Sequence, residues 1–149
     1  MSIHARLAEL GIALPAAAAP VAAYLPVVVA GDIAHVSGQL PFVDGRLVTG
    51  LLGEDVSLEQ GTAAARACGL MILAQLEAAL GSLDRVERIV KLGAFVSSAA
   101  AFTDQPKVAN GASELMAEVF GEAGHAHARI DLWAEALPWL LETLQGTRR

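Results

Sequence analysis

Arg129 is the residue whose type and position offer the clearest chemistry. It opens a segment in which apolar residues alternate with Asp131, Trp133 and Glu135, which is the period of a β-strand. A guanidinium carries a planar fork of N–H donors that matches a carboxylate, so an arginine at a strand mouth can grip a small acid by two hydrogen bonds. The same position can also hold a surface ion pair. Both interpretations stay open at this point.

A second stretch, His35–Pro41 (HVSGQLP), runs from apolar residues into Ser-Gly-Gln and a proline. Val36 and Leu40 have the spacing of inward-facing strand positions, and Gly38 removes a side chain between them. A glycine inside a strand pattern indicates a bulge or the close approach of a ligand or another backbone. The alternative is a plain strand end before a turn.

The other polar candidates are isolated. Asn110 falls in a predicted helix, where it can serve a site or simply face solvent. His125 and His127 resemble a metal pair only loosely, and without a third ligand nearby the pattern favours a solvated loop. Cys68 lies in an apolar run and is interpreted as a small core residue rather than a nucleophile. We therefore expect neither a metal nor a cofactor.

Composition restricts the partners. The formal net charge is −6, and the ten Lys and Arg residues are scattered rather than gathered in a stripe. This argues against nucleic acid, where phosphate neutralisation supplies most of the affinity. Hydrophobic residues make up 54% of the chain and charged residues 17%, which predicts that part of the surface is covered by other copies of the same chain.

The chain contains one cysteine, which suits a reducing cytoplasm. Residues 11–30 carry no charge, but Pro15, Pro20 and Pro26 interrupt any continuous helix there. The preceding segment lacks the basic start of a signal peptide. We therefore expect a cytoplasmic protein with no membrane span.

The length of 149 residues and the periodicity predict one α/β (α+β) domain over residues 1–149, with an N-terminal helix and an Ala/Pro connector in residues 1–19. Two long helices should pack on one face of a mixed β-sheet. The predicted elements, in chain order, are a helix at Ser2–Leu10, strands at Tyr24–Val29 and Ala34–Leu40 joined at Gly31-Asp32, a short strand at Arg46–Val48, a helix from Ser57 to Gly81, a doubly buried strand at Val86–Val96, a helix from Asp104 to Gly121, a loop over GEAGHAHAR, a strand at Ile130–Ala134, and a tail at Trp139–Leu144 that fits a strand or a helical turn.

Taken together, these residues resemble the Rid (reactive intermediate deaminase) family, also called the YjgF or endoribonuclease L-PSP family. The resemblance covers roughly residues 20–138, and with its N-terminal helix the chain is similar to a longer bacterial subgroup. The matching pieces are Tyr24, Gly31, VSGQLP at 36–41, IVKLGAFV at 89–96, Asn110, HAR at 127–129, and Leu137-Pro138.

The resemblance implies a chorismate-mutase-like fold and a homotrimer with a barrel-like core and sites in the clefts between subunits. It implies hydrolysis of enamines and imines such as 2-aminoacrylate and its imine, with release of ammonia and a 2-keto acid. By position, Arg129 would be the catalytic residue that clamps the substrate carboxylate. Tyr24, Gly31, Ser37 and Asn110 would line or support the substrate site.

The chain departs from the family pattern in its last strand. Leu144 and Gly146 stand where the pattern of the deaminating members would place carboxylates that position water. Asp131 replaces the small residue or cysteine usual two positions after the arginine. Glu142 or Asp131 is the available substitute carboxylate.

Two functions follow. The first is a trimeric enzyme that acts on small 2-imino or 2-keto acids. The second is a non-catalytic trimer of the same fold that binds carboxylate metabolites or serves as an interaction module. A ribonuclease is a third hypothesis. The negative net charge of the chain and the lack of a stripe of Lys and Arg residues argue against it.

Overall fold

Two long helices run along each other and carry the core of the chain. The structure, a computed structural model, describes residues 1–19 and 23–133. The elements are α1 (Ile3–Glu9), β1 (Val27–Ala30), β2 (Ile33–Val36), β3 (Phe42–Val43), β4 (Arg46–Leu47), α2 (Leu58–Leu80), a 3-10 turn (Leu83–Arg85), β5 (Lys91–Val96), α3 (Gln105–Phe120), α4 (Glu122–His125) and β6 (Ala128–Trp133).

The three predicted helices are confirmed, and local signals set both ends of α2 and the start of α1. Ser57 caps α2 in a full capping box with Gln60, and Gly81 ends it in the left-handed conformation. Ser2 caps α1 through its side chain. α2 is long and apolar enough to cross a membrane by length and composition. In the described chain it lies against α3 and contributes to the core.

Small residues let α2 and α3 approach closely. Gly111 on α3 lies so near the Thr62 carbonyl of α2 that a methyl group at this position would overlap the backbone. About two turns further along α2, Gly69 faces the Leu115 side chain of α3. Leu115 is completely buried in the main hydrophobic cluster, which also includes Leu7 of α1. The helix pair is therefore the closely packed layer against which the strands lie.

The strands form three two-stranded ladders in the described part of the chain. β1 and β2 pair antiparallel through the predicted Gly31-Asp32 turn, and β3 pairs with β4 around Asp44-Gly45. β5 and β6 pair in parallel. The mixed α/β class is confirmed, whereas the described residues do not join these ladders into the single sheet expected.

The predicted strand bounds were too generous because backbone groups find other partners. The second strand ends at Val36, beyond which the Gln39 side chain bonds back to the Ser37 carbonyl. The Val86–Val96 strand begins only at Lys91, since the Ile89 amide donates to the Ala123 carbonyl.

The expectation that this strand is buried on both faces was wrong for the single chain. Leu92 and Ala94 are partly covered and Val96 is buried, but Phe95 on the opposite face is 74% exposed. α3 covers only one face of the β5–β6 ladder.

The GEAGHAHAR segment is not a plain loop, because Glu122–His125 forms the short helix α4. The predicted tail at Trp139–Leu144 lies outside the described residues, as do Glu142, Leu144 and Gly146.

Candidate functional site

Arg129 lies on the face of the β5–β6 ladder that packs against α3. It pairs in register with Leu92, a partly buried position of β5. Because successive strand residues point to opposite faces, Asp131 lies on the same side as Arg129. The side chains of Arg129 and Asp131 are only 21% and 15% exposed. The strand therefore holds a charged pair between the ladder and a helix.

Four of the five N–H donors of the Arg129 guanidinium have partners. Nη1 donates to Asn110 Oδ1 at 2.8 Å and to Ser113 Oγ at 3.2 Å. Nη2 donates to the Pro106 carbonyl oxygen at 2.9 Å. Nε donates to Asp131 Oδ2 at 3.1 Å. One Nη2 hydrogen has no partner among the described residues, so an incoming acid meets a single donor unless an existing contact gives way.

Asp131 is the strongest existing contact, because it brings a full opposite charge. Its Oδ1 atom also lies 3.0 Å from Arg129 Nε, although this second approach does not have hydrogen-bond geometry. The structure thus contains an ion pair at Arg129, one of the two interpretations that the sequence left open. In the other interpretation, the same guanidinium binds the carboxylate of a small acid.

Asn110 does not simply face solvent, the alternative that the sequence left open. Asn110 and Ser113 are three residues apart, and that spacing puts both on one face of α3, toward β6. Helical periodicity could have placed Asn110 and Ser113 on the same face of α3. The sequence did not show, however, that this face contacts Arg129.

Sequence reasoning did not single out Ser113, and it considered His127 only as half of a loose metal pair and as part of the HAR motif. His127 Nε2 lies 2.9 Å from Ser113 Oγ, and His127 Nδ1 lies 2.6 Å from the Gly124 carbonyl oxygen. His127 is partly buried, so the solvated-loop interpretation was wrong for it, whereas His125 is exposed. The sequence did carry a signal for His127. Every second residue of an extended segment points to the same side, so residues 127, 129 and 131 share one side.

The remaining predicted residues lie elsewhere in the single chain. Tyr24 precedes β1 and is 44% exposed, and Gly31 sits at the hairpin turn with φ of 59°. Ser37 follows β2, where its Oγ accepts from Gln39 Nε2 at 3.2 Å. None of the hydrogen bonds among the described residues links these three to Arg129.

We define the Arg129 cluster as Arg129, Asp131, Asn110, Ser113 and His127. It combines an anion-binding guanidinium, a hydroxyl and an imidazole within one hydrogen-bonded group. Across residues 1–19 and 23–133, no group of three or more His, Cys, Asp or Glu side chains is placed to hold a metal. The chemistry the cluster can perform is carboxylate binding with proton transfer beside it.

The chain has relatives with the same fold over most of its length. Protein TCP17 of Trypanosoma cruzi is 51% identical over 138 residues, which are 92% of this chain and 86% of that protein. A crystal structure of Atu1372, of unknown function, from Agrobacterium tumefaciens is 44% identical with a TM-score of 0.78, covering 89% of this chain and 81% of that one. A crystal structure of a "putative endoribonuclease" from Shewanella oneidensis MR-1 is 36% identical with a TM-score of 0.85, covering 90% and 89%.

A family described as "YjgF/chorismate mutase-like, putative endoribonuclease" matches residues 4–143. That span includes all of the described elements except the first residue of α1, and it includes the whole Arg129 cluster. Together with the relatives, this match confirms the resemblance derived from the residues, and the chain belongs to the YjgF/chorismate-mutase-like family.

Proposed function

We propose that this protein binds small 2-imino and 2-keto acids at Arg129 and hydrolyses enamines and imines of the 2-aminoacrylate type to 2-keto acids and ammonia. The observation that carries the proposal is the partly buried guanidinium, one of whose N–H donors has no partner among the described residues, set beside a hydroxyl and an imidazole. Family membership supports the same choice. We place the reaction in the cytoplasm, without a metal or cofactor.

The chemistry asked of the site is modest. An imine carbon is already electrophilic, so holding the substrate by its carboxylate, orienting one water and providing a proton path supply the main needs. Because Asp131 occupies Nε, the substrate carboxylate either takes one hydrogen bond from Nη2 or displaces Asp131 to take two.

We further propose that the complete site lies between two copies in a homotrimer. The hairpin residues Tyr24, Gly31 and Ser37 then come from a neighbouring copy and form the opposite wall of the cleft. The exposed apolar side chains of one chain support this assembly. They include Phe95 and Ile130 on the uncovered face of β5–β6, and Val28 and Ile33 on the hairpin.

The second candidate is a non-catalytic trimer that binds small carboxylate metabolites or acts as an interaction module. The observation in its favour is the Asp131 carboxylate, which already neutralises Arg129. Leu144 and Gly146, at sequence positions where deaminating members would carry acidic residues, favour it as well.

Ammonia release from enzymatically generated 2-aminoacrylate separates the two candidates. We expect wild-type protein to accelerate release above the spontaneous rate, and Arg129→Ala to abolish the acceleration. Arg129→Lys keeps the charge but loses the fork, so calorimetry should show pyruvate binding weakened nearly as much as in Arg129→Ala. Binding without acceleration by the wild-type protein would favour the non-catalytic trimer. A lower melting temperature with unchanged pyruvate binding would make Arg129 purely structural.

A further inference from the structure

We propose that Ser113 and His127 form a proton relay that serves the reaction at Arg129. In this relay Ser113 takes a proton from the attacking water while passing its own to His127, and the proton later returns to the departing nitrogen. The inference rests on the proposed function and names the groups that carry out its proton transfers.

The contacts of His127 place it in the tautomer that a base requires. The Gly124 carbonyl can only accept a hydrogen bond, so the Nδ1 atom at 2.6 Å carries the hydrogen. Nε2 then presents its lone pair, and at 2.9 Å it accepts the hydroxyl hydrogen of Ser113. A histidine whose far nitrogen is held by an acceptor and whose near nitrogen meets a hydroxyl has the geometry of a general base and its partner.

Within residues 1–19 and 23–133, the contacts of Ser113 leave one of its lone pairs available. A hydroxyl has one hydrogen and two lone pairs. The hydrogen goes to His127 and one lone pair accepts from Arg129 Nη1 at 3.2 Å. The second lone pair can accept a hydrogen from water. The guanidinium also stabilises negative charge that develops on Oγ during transfer.

The substrate geometry brings the reacting carbon to this hydroxyl. In a 2-imino acid the electrophilic carbon is bonded directly to the carboxylate. The relay requires the carboxylate to be held by the remaining Nη2 hydrogen, one nitrogen away from the Nη1 atom that contacts Ser113 Oγ, so that one water spans the gap between the reacting carbon and the hydroxyl. A water between the carbon and Ser113 is then positioned for attack.

The step balances as follows. The water oxygen bonds to the carbon of the protonated imine, and the C=N π electrons move to nitrogen. The water proton goes to Ser113 Oγ and the Ser113 proton goes to His127 Nε2, which gives a neutral carbinolamine. The proton then returns through Ser113 to the amine nitrogen. The C–N bond breaks, its electrons leave with ammonia, and the hydroxyl proton passes to the ammonia as the 2-keto acid forms.

The competing explanation is that these hydrogen bonds only position Arg129. Ser113→Ala and His127→Gln distinguish the two roles when turnover and binding are measured separately. A relay predicts that the turnover number for ammonia release falls about a hundredfold or more, while the affinity for pyruvate changes by less than about threefold. It also predicts that imidazole restores part of the turnover of His127→Ala. The exposed neighbour provides the matched control, and His125→Gln should behave as wild type.

Several results would overturn the relay. Full turnover in Ser113→Ala and His127→Gln would show that another group transfers the proton, although the proposed function would stand. A parallel loss of turnover and pyruvate affinity, without imidazole rescue, would assign both residues to positioning Arg129. A wild-type protein that releases no ammonia would overturn the proposed function and the relay together.

Discussion

At the scale of single residues, Arg129 illustrates how one side chain serves both fold and site. Its donors hold α3 through Asn110, Ser113 and the Pro106 carbonyl, so the guanidinium joins a helix to a strand. Its charge is balanced by Asp131 two residues away. In the proposed function, a substrate carboxylate would compete with that internal carboxylate, and the difference between the two interactions would set the affinity for the substrate.

Asp131→Asn should tighten keto-acid binding. The amide keeps the shape of the side chain and can still accept a hydrogen bond from Nε, but it removes the competing negative charge. We expect pyruvate to bind about tenfold more tightly by calorimetry, equivalent to about 1.4 kcal/mol. Loss of the partly buried ion pair should lower the free energy of unfolding by about 1 kcal/mol.

The matched control for this change is Glu9→Gln, which removes the same charge from an exposed pair with Arg6 on α1. It should alter neither pyruvate affinity nor stability measurably. If Asp131→Asn leaves the affinity at the wild-type value, Asp131 does not compete with the ligand.

Cys68 should react slowly with thiol reagents in the folded protein. Burial raises the pKa of the Cys68 thiol to about 11, and Sγ contacts the Gln39 carbonyl oxygen at 3.4 Å. At pH 8 only about a thousandth of this thiol is the reactive thiolate. Titration with an aromatic disulfide reagent should therefore show slow labelling of native protein and rapid labelling after denaturation. Rapid labelling of the native protein would mean that the thiol is exposed and ionised.

At the scale of elements, sequence reasoning predicted the helices well because their ends depend on local signals. Ser57, Gln60 and Gly81 specify the two ends of α2 within the chain itself. Strand bounds depend on distant partners, as when the Ile89 amide donates to Ala123 rather than continuing a ladder. Sequence patterns also could not show that Phe95 lies on a face left uncovered in the single chain.

The same distinction applies to the site. Arg129 and Asn110 were predicted from residue type and family pattern. In the structure Arg129 Nη1 lies 2.8 Å from Asn110 Oδ1. The roles of Ser113 and His127 were missed because they depend on α3 lying against the start of β6, which brings together two side chains that are 14 residues apart. No local pattern encodes that approach.

Gly111→Ala should destabilise the protein strongly, because its methyl group would overlap the Thr62 backbone and push α2 from α3. We expect a loss of about 3 kcal/mol or more, seen as a large drop in melting temperature. Gly69→Ala is the graded control. There the new methyl group would lie 2.9 Å from the end of the Leu115 side chain, which can rotate, so the loss should be about 1 kcal/mol. Equal melting temperatures for the two variants would contradict this account of the helix contact.

At the scale of the whole molecule, the exposed apolar surface of one chain follows from its incomplete layering. α3 covers one face of the β5–β6 ladder, whereas Phe95 and Ile130 on the other face stay exposed at 74% and 45%. An apolar sheet face of this kind is stable in water when another layer covers it. In the proposed homotrimer, a second and a third copy of the same chain would supply that layer with closed symmetry and bring the hairpin residues toward Arg129.

Phe95→Asp should break this assembly without unfolding the chain. Light scattering of the wild type should give about 46 kDa, three times the 15.4 kDa of one chain. Phe95 is exposed in the single chain, so an aspartate there should change the free energy of folding little. In the trimer the aspartate would be a buried, unpaired charge, which should weaken association by several kcal/mol. We therefore expect a species near 15.4 kDa with a helical circular dichroism spectrum like that of the wild type.

Ala63→Asp adds the same charge at an exposed position of α2 and should remain trimeric. In the proposed assembly the complete site lies between two copies, so the Phe95→Asp monomer should also lose ammonia release although Arg129 is intact. A monomeric wild type would contradict the assembly and the inter-subunit site, and a trimeric Phe95→Asp would place the interface on another face.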